Sequence, residues 1–145
     1  MEIKELKDKS EMLQHFEMLT EVYPRLTLNE YSKELDEMIP HNYGQIAIYE
    51  NNECVGMTGY WIGTKLWCGK YLELDNVVVS EKHRNKGIGK IIFEFAEQKA
   101  IKEECTMIAL DSYTDNFKAH KFFYGEGFIP RGFHFINILD QNKIR

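Results

Sequence analysis

Apolar positions change their period along the chain, and each change marks an element. Met12, Leu13, Phe16 and Leu19 recur at helical spacing after Ser10, which predicts a first amphipathic helix. A second helix is expected over residues 27–38, with Thr27 or Asn29 near its start. Pro24 and Pro40 punctuate these pieces, because proline lacks a backbone donor and disfavours helix in the residue before it. From Gly44 the period shortens to two. Residues 45–50 and 54–61 flank Asn51-Asn52, a two-residue turn whose residues tolerate positive φ, so the pair reads as a β-hairpin. Residues 71–79, YLELDNVVV, form a third strand rich in β-branched side chains. Residues 88–102 read as a helix whose apolar face is Ile88, Ile91, Ile92, Phe95 and Ala96. A short buried strand is expected over 106–110. A further helix starts at Asp115 or Asn116, runs through Phe122-Phe123 and ends before Gly125 and Gly127. Phe128 and the stretch 132–139 are expected to complete the sheet. This order predicts a mixed α/β (α+β) fold.

Composition bounds the class. The chain has 145 residues, of which 43% are hydrophobic and 13% aromatic, so one core and a single domain over 1–145 are expected rather than disorder. No apolar run approaches the ~20 residues needed to span a bilayer. The charged opening MEIKELKDKSEM argues against a secretory leader and for a cytoplasmic protein without membrane partners. Cys54, Cys68 and Cys105 are odd in number and lack zinc-ligand spacing, and the five histidines are scattered; no metal site is expected.

Charge distribution adds more than the total. Lys82, Arg84, Lys86 and Lys90 fall within nine residues that hold no acid, on a chain of net charge −5. Such an island suits a small polyanion better than nucleic acid, which needs an extended basic surface; a merely solvated loop is the alternative.

Chemistry concentrates where Val77-Val78-Val79 runs into Arg84-Asn85-Lys86-Gly87-Ile88-Gly89 and then an apolar helix. Two glycines at a helix start let the backbone curve tightly and approach a ligand. The unpaired amides of the first turn, at the positive end of the helix dipole, favour a phosphate or pyrophosphate. A Walker A loop is excluded because Ile91 follows Lys90, and the dinucleotide fingerprint fails because Ile92 stands at its third glycine. What remains is R-x-x-G-x-G after a strand.

That pattern resembles the acyl-CoA signature of the GNAT superfamily of N-acetyltransferases, Q/R-x-x-G-x-G/A. The likeness continues in Asn116-Phe117-Lys118-Ala119, Phe122-Phe123 and Gly127-Phe128, which are similar to the family's N-x-x-A-x-x-F-Y-x-x-x-G-F block, and it covers nearly the whole chain. The resemblance implies a mostly antiparallel sheet of about six to seven strands flanked by four helices, with two central strands splayed apart. It implies acetyl-CoA as co-substrate, in the gap between those strands. The main chain of Val77 would bond the acetyl carbonyl, with Val78 beside it, and Val79 would pair with pantetheine. The amides of Arg84, Asn85, Lys86, Gly87, Ile88, Gly89 and Lys90 would cradle the pyrophosphate. Asn116 would place pantetheine or a water, or serve as a plain helix cap.

Amide formation from a thioester needs a neutral amine, and an alkyl ammonium with pKa near ~10.4 is almost fully protonated at neutral pH. A base must therefore take its proton. Glu73 stands fourteen positions before Gly87, where a branch of the family carries its glutamate base, and Asp75 is the neighbouring candidate on the same strand face. The family's usual tyrosine acid is replaced by Phe123, with Tyr124 one step along. Either Tyr124 turns inward to protonate the departing thiolate, or no side-chain acid is used, since a thiol of pKa near ~8.5 leaves tolerably without one. Tyr23, Tyr31, Tyr43, Tyr60, Trp61, Trp67, Phe133, His134 and Phe135 are candidates to line an amine pocket. The expected activity is direct acetyl transfer to a primary amine, of a small molecule in the first instance. A protein lysine or N-terminal acetyltransferase and a non-catalytic acyl-CoA sensor are the alternatives, and a homodimer is compatible with the sequence.

Overall fold

The chain opens with a strand that the apolar pattern did not predict. The computed structural model describes residues 1–145, which divide into two compact units, Met1–Leu110 and Asp111–Arg145. In the first unit β1 (Glu2–Leu6) precedes α1 (Lys9–Leu13), α2 (Phe16–Thr20) and α3 (Leu28–Met38). The hairpin β2 (Tyr43–Glu50) and β3 (Glu53–Lys65), then β4 (Gly69–Val79), α4 (Ile88–Lys102) and β5 (Met107–Leu110), follow. The second unit holds α5 (Phe117–Gly125).

One sheet of order β1-β2-β3-β4-β5 is antiparallel throughout except for the parallel pair β4–β5. The mixed, mostly antiparallel α/β fold is thus the expected one, with five strands instead of six to seven and five helices instead of four. Three local differences explain the counts. β1 reads as a charged tail because only Leu6 is fully buried, yet its backbone pairs along the edge of β2. The first helical stripe breaks at Gln14-His15 into α1 and α2. Residues 132–139 join no ladder: alternation gives a segment two faces but does not supply the partner edge that a strand needs. β5 begins at Met107 and is half-buried, not buried.

Local chemistry sets most boundaries. Asn51 and Asn52 take φ of 51° and 66°, the paired left-handed turn that suits the twist of a hairpin. α3 begins with a capping box, in which Thr27 Oγ1 accepts from the Glu30 amide and Glu30 accepts from the Thr27 amide.

The two sheet faces are covered differently. Tyr43, Ala47, Met57 and Val78 share a core with Leu6, Met12, Leu19, Leu26, Tyr31 and Leu35 from the β1–α3 region. Ile46, Ile48, Tyr60, Leu72 and Leu74 alternate onto the other face, that of α4, and are buried. α4 buries Ile88, Ile92, Phe93 and Ala96, each large aliphatic side chain contributing roughly 1.5–3 kcal/mol; Ile91 and Phe95 are half-buried. Its far end is tied to β1. Lys99, only 8% exposed, pairs with Glu5 at 2.7 Å and lies over the Tyr60 ring, while the Tyr60 hydroxyl donates to Glu5 at 2.5 Å. Burial alone would raise the Glu5 pKa, but the bonds from Lys99 and Tyr60 outweigh it and the pKa lies below the usual carboxylate range. No helix is long and apolar enough to cross a membrane.

Candidate functional site

Two features of β4 shape the site: a missing partner and a bulge. β5 pairs with β4 only from Tyr71 to Leu74, so from Asp75 to Val79 the edge of β4 that faces away from β3 has no strand beside it. The two strands joined through α4 thus stay paired only as far as Leu74, with β5 at the edge of the sheet rather than at its centre. On the β3 side, Gly59 pairs with Asp75 and Met57 with Val78. One residue of β3, Thr58, therefore spans the same stretch as two of β4, Asn76 and Val77. Asn76 takes φ of 58°, a conformation that asparagine tolerates better than most residues. The extra residue flips the parity of the strand: Leu72 and Leu74 face α4, whereas Val78 joins the opposite core. Thr58 Oγ1 donates to the Asp75 carbonyl at 3.0 Å and steadies the bulge.

Glu73 and Asp75 stand on the face shared with Trp61 and Tyr43, as their cross-strand partners Trp61 and Gly59 require. Two residue steps along the strand separate them, ~6.7 Å along the backbone. Glu73 is half-buried. Trp61 Nε1 donates to Asp75 Oδ2 at 3.2 Å, and the Trp61 ring packs at 4.9 Å against Tyr43. Beneath them Gln45, completely buried, donates through Nε2 to the hydroxyls of Tyr31 at 2.8 Å and Tyr43 at 3.0 Å. Burial pushes the Tyr31 phenol up to about 12 and raises that of Tyr43 as well, so both act as neutral hydrogen-bonding groups at physiological pH. Tyr23, beside the same core, donates its hydroxyl proton to Asn76 Oδ1.

Of the expected pocket aromatics, Tyr23, Tyr31, Tyr43 and Trp61 come together on this face. Tyr60 points to α4 instead, because it is one residue out of phase with Trp61. Trp67 lies at the exposed β3–β4 turn. Gln45 and Asn76 were not singled out in the sequence. Each carried a signal: a buried amide within an apolar strand demands partners, and an asparagine inside YLELDNVVV is a poor strand former suited to a bulge.

Beyond Val79 the chain makes one 3-10 turn over Glu81–His83 and enters the basic loop. Arg84 is committed locally: its amide donates to the Glu81 carbonyl, its Nε to the Val79 carbonyl at 3.3 Å, and its Nη2 pairs with Glu21 at 3.3 Å. Gly87 is the N-cap of α4 at φ of 80°, and a Cβ there would meet nothing within 4 Å. Glycine is thus required by the backbone angle, with open space in front. No side chain caps α4 and no acid lies in its first turn, whereas Asp8, Thr27 and Asn116 cap α1, α3 and α5. The first intrahelical bond runs from Ile91 to Gly87, which leaves the amides of Ile88, Gly89 and Lys90 without helical acceptors. The helix start is held in place by packing: a Cβ on Gly56 of β3 would come within 2.6 Å of Ile88 Cγ2, so only glycine lets Ile88 seat there. Lys86 and Lys90 are exposed around this end. The arrangement offers donors and positive charge to an anion.

Glu73, Val77, Val78, Val79 and residues 84–90 all belong to the first unit, on one continuous strand–loop–helix. Asn116 and Tyr124 belong to the second. Asn116 is the N-cap of α5 and accepts from the Ala119 amide at 3.3 Å. Tyr124 lies in the last turn of α5 and is 57% exposed. No group of three or more His, Cys, Asp or Glu side chains is placed to hold a metal ion.

Comparison with known proteins identifies the fold and the family. YhdJ of Bacillus subtilis strain 168, named as an uncharacterized N-acetyltransferase, is 25% identical over 122 residues, covering 83% of this chain and 86% of its own length. The crystal structure of a Trypanosoma brucei acetyltransferase superposes with a TM-score of 0.78 at 22% identity, over 95% of this chain and 99% of that one. The aminoglycoside N-acetyltransferase AAC(6')-Iy, solved in complex with CoA, superposes with a TM-score of 0.79 at 14% identity, over 97% of this chain and 94% of that one. The sequence profile of the acetyltransferase (GNAT) family matches residues 10–128, through the bulged strand, the basic loop and the start of α4, and the chain belongs to that family.

Proposed function

We propose that this acetyltransferase moves an acetyl group from acetyl-CoA to a primary amine of a small molecule, by direct attack within a ternary complex over one domain, 1–145. The observation that carries the reading is the uncapped start of α4: three outward amides, flanked by Lys86 and Lys90, at the end of a strand whose outer edge is unpaired. The CoA complex of the aminoglycoside enzyme, which shares the fold, supports the same ligand here.

Acetyl-CoA supplies an activated acyl carbon as its thioester. The chain's own residues do the rest. The amides of Gly87, Ile88, Gly89 and Lys90, with Asn85 and Lys86, hold the pyrophosphate. The Arg84 side chain fixes the loop to Val79 and Glu21. The unpaired edge of β4 offers the Val77 main chain to the acyl carbonyl and that of Val79 to pantetheine. Glu73 removes the proton from the incoming ammonium, and Asp75, steered by Trp61, adds negative charge that favours a cationic acceptor. The aromatic face of Tyr43, Trp61 and Tyr23 suits a small amine. Asn116 and Tyr124 carry the roles that the family pattern implies, each tested by its own variant, Asn116→Ala and Tyr124→Phe.

The test follows release of the CoA thiol with a panel of small amines and with lysine-bearing peptides. Turnover of at least one small amine is expected, with Glu73→Gln lowering kcat by about 10²–10⁴-fold while acetyl-CoA still binds. Turnover of peptides alone would replace the acceptor class. Tight acetyl-CoA binding with no turnover would make the chain a sensor, the reading that Phe123 favours.

A further inference from the structure

The bulge in β4 is the least self-supporting part of the strand. Asn76 and Val77 lie opposite a single residue of β3, beyond the last pair with β5, so the ladder constrains them less than their neighbours. Yet the direction of the Val77 amide depends on this stretch, and a bulge owes its orientation to whatever fixes the extra residue.

One side chain reaches the bulge from far away in sequence. The Tyr23 hydroxyl donates to Asn76 Oδ1 across 53 positions, in a half-buried setting. Tyr23 is itself well fixed. Its amide donates to the Leu19 carbonyl at 2.8 Å and its carbonyl accepts from the Leu26 amide at 3.0 Å. Two residues earlier, Glu21 pairs with Arg84 of the basic loop. The short connection between α2 and α3 therefore grips the strand at its bulge and the loop at its arginine.

We infer that Tyr23 is a positioning residue for acyl transfer: through its hydrogen bond to Asn76 it fixes the β4 bulge and thereby aims the Val77 amide. The inference rests on the reading that Val77 serves the acyl carbonyl. A reacting group displaced by ~1 Å can cost about 10²-fold in rate, so a bond to the extra residue, added to the Thr58 bond one residue before it, has leverage beyond its own strength. Asn76 has a double role here. It accepts the left-handed angle, as glycine also would, and it presents the oxygen that Tyr23 holds, which glycine cannot.

The experiment compares wild type, Tyr23→Phe, Asn76→Gly and the double variant in two readouts. The first is kcat with an accepted amine. The second needs no turnover: the ratio of the dissociation constants of CoA and acetyl-CoA, which reports how well the acetyl group itself is held. Tyr23→Phe is expected to lower kcat about tenfold and to shrink that ratio, with CoA affinity itself within about twofold of wild type, effects the size of one hydrogen bond. Asn76→Gly should do the same, and the double variant should lose no more than either single one, because both remove one contact. Losses that multiply, or a lower melting temperature with the ratio and kcat intact, would overturn the inference. If wild type turns over no amine but prefers acetyl-CoA, and Tyr23→Phe abolishes the preference, the positioning role stands and the enzymatic reading falls. If wild type turns over amines and Tyr23→Phe matches it in both readouts, only the positioning role falls. Neither turnover nor preference in wild type would remove both. Asn76→Gly supplies the same comparison should Tyr23→Phe fail to fold.

Discussion

The starts of α3 and α4 solve one physical problem in opposite ways. Both helices leave amides without helical acceptors. α3 engages the Thr27 and Glu30 amides through its capping box, with an acid at the positive end of its dipole. α4 has neither cap nor acid, and cations gather around it. Its stability comes from elsewhere, from Ile88 seated on Gly56 and from the buried stripe through Ala96. A helix start left open, where the same chain shows it can close one, supports the proposed role of these amides in holding an outside anion.

The strongest way to break this contrast is to close the open end. Gly89 lies in the first turn of α4 and is half-buried. Gly89→Asp removes a poor helix former and adds an acid near the N-terminus, which should raise stability by about 0.5–1.5 kcal/mol. It also sets a negative charge beside the proposed pyrophosphate site. Unit charges ~4 Å apart interact by about 4 kcal/mol near a protein surface, and allowing for solvent the affinity for acetyl-CoA should fall about 100-fold. Calorimetric titration and thermal melting, run together, should move in opposite directions. Unchanged affinity would remove α4 from the binding site.

The converse change is smaller. Thr27→Ala opens the closed end and should cost about 1 kcal/mol of stability, read by urea unfolding, with acetyl-CoA affinity left within about twofold. A matching loss of affinity would mean that the two helix starts do not differ in role.

What the sequence disclosed follows the same division between local and distant causes. The bounds of α4 were legible because its glycines, its apolar stripe and its flanking loop are contiguous, although the buried aromatic of the stripe is Phe93 rather than Phe95. The Asn51-Asn52 turn was legible because two asparagines in succession need only themselves to accept positive φ. Glu73 and Asp75 were readable as one face, since alternation along a strand is local. Their surroundings were not: Trp61 meets Asp75 only because β3 and β4 pair in one register, and the bulge at Asn76 sets which way Val78 turns. β1 was illegible because its backbone pairs with β2 some forty residues on, and Glu5 finds its partners Lys99 and Tyr60 on α4 and β3. The stretch 132–139 misled for the complementary reason, having the alternation of a strand without a ladder.

The gentlest test uses a third helix start, that of α2. Its N-cap is His15, whose ring makes no capping bond and instead shares a 2.6 Å hydrogen bond with the Tyr49 hydroxyl. Burial, seconded by the nearby charge of Lys4, holds the His15 pKa below its ordinary 6.5. A cation at this position would also oppose the helix dipole. The folded state therefore binds the proton less readily than the unfolded chain. Stability should be intact above the unfolded value, decline as pH falls through it, and level off below the depressed folded pKa. Other groups titrate in the same window, so the quantity to measure is the difference between wild type and His15→Gln, whose side chain is neutral throughout. From pH 7 to pH 5 wild type should lose stability relative to the variant. A difference of opposite sign would mean that His15 gains its proton on folding, and that this start, like that of α4, is tuned by charge rather than by burial.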